Sequence, residues 1–251
     1  MAAASNLSTS RNYTVTVQEL KTLLTEVGQE HVLQFFDSLS PQEQSELKQD
    51  IAKVDWKSLQ QVVCMQIMTG CLGRPSVLGT LEPFQGIENV AEMIPETKTR
   101  YQDAGLRLVH EGKAGVLIFA GGQGTRLRFP HPKGLFDIGM PSHKSIFEYQ
   151  VERVHKVQLE ACRRYGGHLP RVLLLVMTNE ESDREVKQFF EDNGHFGMEP
   201  EDVIFFPQGL LPAVSPSGQA ILKTKSSLAL SPNGNGGVFS ALLKADLMTV
   251  L

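Results

Sequence analysis

Gly115-Val116-Leu117-Ile118-Phe119-Ala120-Gly121-Gly122-Gln123-Gly124-Thr125-Arg126-Leu127 is the stretch on which the fold turns. The apolar run Val116 to Phe119 predicts a parallel strand buried on both faces. Gly121, Gly122 and Gly124 then predict a tight loop at the strand's carboxyl end, where open α/β sheets bind their ligands. Glycine there permits positive φ and lets backbone amides approach a ligand with no side chain between. Arg126 and Lys133 add two cations within the loop's reach, and arginine can grip phosphate bidentately. A Walker A loop is excluded, because no Gly-Lys-Ser or Gly-Lys-Thr follows a four-residue gap. A dinucleotide fingerprint is excluded too, since Leu127 stands where a third glycine would be.

Downstream, the pattern alternates. A helix is expected from about Ser145 to Cys162, and Val172 to Met177 is the clearest strand in the chain. Ser182 is expected to cap a helix that stops at Asn193-Gly194, within an acidic cluster suited to a helix start. Val203 to Phe206 is a third strand, and Gly236-Gly237 opens a last helix. Strand, helix, strand, helix, strand predicts an α/β fold with a doubly wound, Rossmann-like sheet. Three strands leave an exposed edge, and the apolar Met248 to Leu251 sits where another strand would be expected. The sequence therefore reads as the front part of something longer.

Upstream, the first third reads as short helices. Thr16 with Glu19, and Ser40 with Glu43 behind Pro41, form capping boxes, and Asp55 is a third cap. Residues 1–112 are read as a helical N-terminal subdomain and connector, with Gly70 to Gly86 extended, and 113–251 as an incomplete nucleotide-binding domain. A helix from about Glu96 to Glu111, ended by Gly112, leads into the first strand.

Composition narrows the class. The 251 residues carry 24 Lys and Arg against 28 Asp and Glu, a net charge of −4 that gives no footprint for nucleic acid. Thirteen Phe argue against a disordered chain. No apolar run approaches the roughly 20 residues of a membrane span. Met1 to Arg11 lack the apolar core of a secretory signal, and three cysteines make no disulfide framework, so a cytoplasmic protein with reduced thiols is expected. Cys64 and Cys71, seven residues apart, are expected in the core, and none of the seven His has metal-ligand spacing.

Beyond the loop stand Pro132-Lys133-Gly134, Met177-Thr178-Asn179, Phe205-Phe206-Pro207-Gln208-Gly209 with Leu211-Pro212-Ala213, and Pro232-Asn233-Gly234-Asn235-Gly236-Gly237. With Gly-Gly-x-Gly-Thr-Arg-Leu, the set resembles the eukaryotic UDP-N-acetylhexosamine pyrophosphorylases, over their amino-terminal half. These belong to the UDPGP type 1 uridylyltransferases, which join UTP to a sugar 1-phosphate. The resemblance implies that backbone of Phe119, Ala120, Gly121 and Gly122 lines the uracil and ribose. It implies that Gln208 bonds uracil, Gly234 packs on the base and Asn235 meets the hexosamine phosphate. Lys133 would lie on the triphosphate, with Arg126 near the leaving pyrophosphate, and these two would be the catalytic cations. Mg²⁺ is implied as cofactor, its protein ligand lying in a part of the family beyond Leu251. Arg128-Phe129 stand where the family has Gly and a small residue, and Asn233 where it has Asp. The implied activity makes UDP-N-acetylglucosamine and pyrophosphate from UTP and N-acetylglucosamine 1-phosphate. The alternatives are a uridine-nucleotide-binding chain without turnover and a uridylyltransferase for another hexose 1-phosphate.

Overall fold

A computed structural model describes residues 16–68, 85–122 and 127–249. Two compact units are formed, one from residues 1–81 with 209–233, the other from 82–208 with 234–251. Neither is contiguous in sequence.

In the first unit, helix α1 spans Val17–Glu26, and the expected capping box is present, with Glu19 and Thr16 satisfying each other's amides. Gly28 follows at φ 70°, which breaks the helix. The apolar patch after it forms two short 3₁₀ turns, Glu30–Leu33 and Phe36–Ser38. Helix α2 (Pro41–Lys53) has the Ser40/Glu43 box and Pro at its start. Helix α3 (Trp56–Met68) begins where Asp55 Oδ1 accepts the Ser58 amide. Leu20, Leu24, Val32, Phe36, Leu47, Ile51 and Trp56 make one core, which Ala220 and Leu228 join. Cys64 is exposed, contrary to expectation, because it lies on the outer side of α3 with Val62 and Met65. Cys71, and most of the expected connector, lie outside the described residues.

Helix α4 (Pro95–His110) opens the second unit, and Gly112 at φ 68° turns the chain into strand β1 (Gly115–Phe119). Helix α5 (Ile146–Tyr165) is capped by Ser145, whose hydroxyl accepts the Glu148 amide. Strand β2 (Leu173–Thr178), helix α6 (Asp183–Asp192) and strand β3 (Val203–Pro207) complete the alternation. The strands pair in parallel in the order β1-β2-β3, with Gly115 opposite Leu173 and Leu174 opposite Val203. This is the expected doubly wound α/β sheet.

Four short strands, β4 (Leu210–Pro212), β5 (Leu222–Thr224), β6 (Ser227–Leu228) and β7 (Leu230–Pro232), belong to the first unit as two antiparallel pairs, β4 with β7 and β5 with β6. The buried side chain of Gln29 clamps this stretch, donating to the Gly218 carbonyl at 2.9 Å and accepting from the Ala220 amide at 2.8 Å. His31 Nε2 bonds the Ala220 carbonyl at 2.8 Å.

Helix α7 (Val238–Lys244) returns to the sheet. Side-chain alternation along β2 sorts the core of the second unit into two layers. Leu174 and Val176 pack with Phe147, Val151, Val186 and Phe190 of α5 and α6. Leu175 and Met177 pack with Phe206 and with Val238, Ala241 and Leu242 of α7. Strand β1 departs from the expectation of burial on both faces. Only Ile118 is buried, while Leu117 is 37% and Phe119 48% exposed, because β1 is an edge with no strand on its far side among the described residues. No described helix is long and apolar enough to cross a membrane.

Candidate functional site

Parallel pairing brings the carboxyl ends of β1, β2 and β3 side by side, and three loops leave from them. The Ala120 amide donates to the Met177 carbonyl at 2.7 Å, carrying the ladder one residue past β1. Beyond it, Asn179 Nδ2 donates to the Gly121 carbonyl at 2.7 Å, and the Ser182 hydroxyl reaches the Ala120 carbonyl at 3.4 Å. Asn179 and Ser182 also bond each other, the Ser182 amide to Asn179 Oδ1 at 2.6 Å and the Asn179 amide to Ser182 Oγ at 3.2 Å. Ser182 is thus no side-chain cap for α6, as the sequence had suggested. Its hydroxyl is taken by the loop network instead. Behind these, Thr178 Oγ1 donates to Asp183, which also accepts from Lys187, each at 2.6 Å.

Gln208 comes from the third loop. Its amide donates to the Thr178 carbonyl at 2.9 Å, and its side chain is drawn inward to 8% exposure. The carboxamide lies against Gly121 so closely that a Cβ on Gly121 would stand 2.1 Å from Gln208 Nε2. Gln208 Oε1 is buried with no hydrogen-bond partner. A buried acceptor left unpaired in this way costs free energy, on the order of 1–3 kcal/mol, unless a ligand's N–H reaches it. That oxygen is an orphaned acceptor at the carboxyl ends of the strands.

Lys133 is tied to the glycine loop by its own amide, which donates to the Gly122 carbonyl at 3.1 Å, while its side chain is exposed. The turn that carries it, Lys133–Leu135, sits on the buried Phe147. A Cβ on Gly134 would fall 2.1 Å from the Phe147 ring, so only glycine lets this turn lie where it does. Farther along, Asp137 accepts the Gly139 amide at 2.8 Å and pairs with His143, which together hold its carboxyl below the ordinary value of 3.8. His131 pairs with Glu185 at 2.5 Å, anchoring the segment before Lys133 to α6.

Of the expected site residues, Ala120, Gly121, Gly122, Lys133 and Gln208 are joined by these contacts, and Phe119 precedes them at the strand's end. Gly234, at φ 69°, and Asn235 form the turn into α7, whose apolar face packs under β2 and β3. The hydrogen bonds just given do not extend to either. Arg126 lies outside the described residues. Asn179 and Ser182 were not foreseen as loop-holding groups, although the Thr-Asn turn after the best strand pointed to the place. Among the described residues no three His, Cys, Asp or Glu side chains gather to hold a metal.

A family profile for UTP–glucose-1-phosphate uridylyltransferase (UDPGP) matches residues 85–251. The chain is 35% identical over 235 residues to UDP-N-acetylglucosamine diphosphorylase 2 of Arabidopsis thaliana, covering 92% of this chain and 46% of that protein. It is 34% identical over 231 residues to human UDP-N-acetylhexosamine pyrophosphorylase-like protein 1, covering 90% and 45% respectively. The crystal structure of the uridine diphosphate N-acetylglucosamine pyrophosphorylase from Trypanosoma brucei, in complex with an inhibitor, superposes with a TM-score of 0.72 at 31% identity. It covers 90% of this chain and 44% of that one. The chain therefore spans about half the length of the curated relatives it matches.

Proposed function

Because the chain belongs to the UTP–glucose-1-phosphate uridylyltransferase (UDPGP) family, we propose that its glycine loop and Gln208 bind UTP for transfer to N-acetylglucosamine 1-phosphate. The observation that carries this reading is the buried, unpaired Gln208 Oε1 beside a glycine that admits no Cβ. A carboxamide offers an acceptor and a donor side by side, the complement of uracil's N3–H and an adjacent carbonyl. The loop from Ala120 to Gly122 approaches the nucleotide with backbone alone, and Lys133, bonded to Gly122 through its amide, carries its ammonium to the phosphates. N-acetylglucosamine is named because the Arabidopsis and trypanosomal relatives carry that sugar in their names.

In the reaction, an oxygen of the sugar phosphate attacks the α-phosphorus of UTP. The bond from that phosphorus to the bridging oxygen of the β-phosphate breaks, and pyrophosphate leaves. Catalysis of this kind rests on positioning and on neutralising charge as it develops. Lys133 and Arg126 are the cations assigned to that work, with Gly234 and Asn235 placed on the base and the sugar phosphate. Mg²⁺ is the cofactor proposed for the transfer, and its protein ligand would come from the part of the family's length that this sequence does not span.

Calorimetry with UTP, uridine and ATP on the chain and its Lys133→Ala variant tests the reading. UTP should bind in preference to ATP, and the variant should lose more affinity for UTP than for uridine. A charge-assisted contact is worth about 1.5–3 kcal/mol, or roughly ten- to hundredfold. Equal affinity for ATP would defeat the uridine assignment, and equal losses for UTP and uridine would make Lys133 structural.

A further inference from the structure

Two successive carbonyls of the glycine loop are bonded to the same neighbouring loop. The Ala120 carbonyl accepts from the Ser182 hydroxyl at 3.4 Å, and the Gly121 carbonyl accepts from Asn179 Nδ2 at 2.7 Å. Along an extended strand successive carbonyls point to opposite sides, so this pair marks a turn of the backbone at Gly121. The peptide bonds are trans, and a trans peptide sets its N–H opposite its C=O. The amides of Gly121 and Gly122 are therefore both directed away from the loop after β2. Neither has a hydrogen-bond partner among the described residues, and Gly122 is exposed.

Adjacent N–H groups turned to one side form a concave pair of donors suited to an oxygen-rich ligand. The orphaned Oε1 of Gln208 belongs to the carboxamide that lies against the same Gly121. The groups that impose the turn are themselves fixed. Asn179 is 3% and Ser182 1% exposed, and each accepts the other's amide. The Asn179 carbonyl also accepts the Asp183 amide at 2.9 Å, which ties the pair to α6. Asn179 thus uses both ends of one carboxamide, its oxygen on its own loop and its nitrogen on the glycine loop.

We propose that Asn179 and Ser182 are positioning residues for the nucleotide. They hold the carbonyls of Ala120 and Gly121 inward, so that the amides of Gly121 and Gly122 are presented together to acceptor oxygens of the ligand. Neither side chain has to touch the nucleotide, since each acts through the peptide plane it fixes. The proposal rests on the reading of the glycine loop as a uridine-nucleotide site and adds the groups that give the loop its donors.

The test uses the complete ¹⁵N-labelled chain with UTP as the probe. Asn179→Asp keeps the side chain's shape and an oxygen for the Ser182 amide, but puts an acceptor where the Gly121 carbonyl needs a donor. With two amides misdirected, UTP affinity by calorimetry should fall roughly fivefold or more. In the parent, saturating UTP should slow amide exchange with water at Gly121 and Gly122, measured by NMR, and Asn179→Asp should lose that protection. Should Asn179→Asp not fold, Ser182→Ala removes the bond to Ala120 and should cost roughly twofold or more in affinity, with protection reduced at Gly121. A pair that is merely structural would lower the urea midpoint and leave the folded variant's affinity and protection as in the parent, which overturns the proposal. UTP binding to the parent without protection of either glycine amide also overturns it and leaves the uridine reading standing. A parent chain that binds no UTP overturns the uridine reading and this one with it.

Discussion

Replacing Gly121 by Ala would separate binding from folding at this site. No positive φ is required at Gly121, so the backbone accepts alanine and the whole effect is steric. The new Cβ would stand 2.1 Å from Gln208 Nε2 and 3.2 Å from its Cδ. Carbon and nitrogen settle no closer than about 3.5 Å, so the carboxamide has to retreat by roughly 1.4 Å. The clash falls on the free end of a side chain whose Oε1 has no partner to lose. The stability cost should accordingly stay within about 1 kcal/mol, at the low end of overpacking. The same retreat is ruinous for a base held at hydrogen-bonding distance. Losing a hydrogen bond or two, each worth about 0.5–1.5 kcal/mol, should weaken UTP binding by roughly two- to a hundred-and-fiftyfold. The assay is a double-mutant cycle, measuring UTP affinity by calorimetry and stability by urea unfolding for the parent, Gly121→Ala, Gln208→Ala and the pair. Gly121→Ala should cost little affinity once Gln208 is already Ala. Equal losses in both backgrounds would show that Gly121 acts through something other than the carboxamide.

Gly134→Ala should behave oppositely, because its Cβ would strike the ring of Phe147, which is 1% exposed and cannot move aside. Urea unfolding should show a loss of about 1–3 kcal/mol or more, and no loss would mean that the turn simply slides. Arg128 sits at φ 54°, in the left-handed region, where the resembling family has glycine. Arg128→Gly should stabilise by about 0.5–1 kcal/mol, the relief of strain less glycine's entropy, and a destabilised variant would show that the arginine side chain outweighs its backbone. Glu152 is held below its ordinary value of 4.5 by the hydrogen bond from Lys144, whose own value is raised. That pairing contributes stability above pH 4.5, and the contribution is lost as pH falls through the depressed folded value. Carbon-detected titration of Lys144→Met should move the Glu152 midpoint upward, and an unmoved midpoint would mean that another group depresses it.

What the sequence made legible was local or periodic. Thr16, Ser40 and Ser145 announced their helices through capping boxes, and the apolar runs gave β1, β2 and β3 to within a residue or so. The glycine loop and Lys133 could be named from their glycines, their charge and their place after a strand, and Gln208 through the resemblance. Their physical basis was hidden. Gly121 and Gln208 are 87 residues apart, and nothing in either segment says that a carboxamide will fill the space of the missing Cβ. Ser182 misled because a serine before a helix looks the same whether its hydroxyl serves the helix or a neighbouring loop. Strand β1 misled in another way, since an apolar run reports the burial a strand is suited to, not the neighbours it has. Strands β4 to β7, two or three residues each, are too short for alternation to register.

The clamp from Gln29 to Gly218 and Ala220 has a consequence in time. It joins residues 189 and 191 positions apart. A ribosome adding about 5–20 residues per second takes roughly 10–40 s to travel from one to the other. Throughout that interval the amino-terminal helices are outside the tunnel without Ala220 and Leu228, two members of their own core. The sheet of the second unit, whose strands all lie between Gly115 and Pro207, is synthesised inside that wait. The strands of the sheet are thus made before the first unit can close on Ala220 and Leu228, while helix α7, which completes the sheet's other layer, is made only after both.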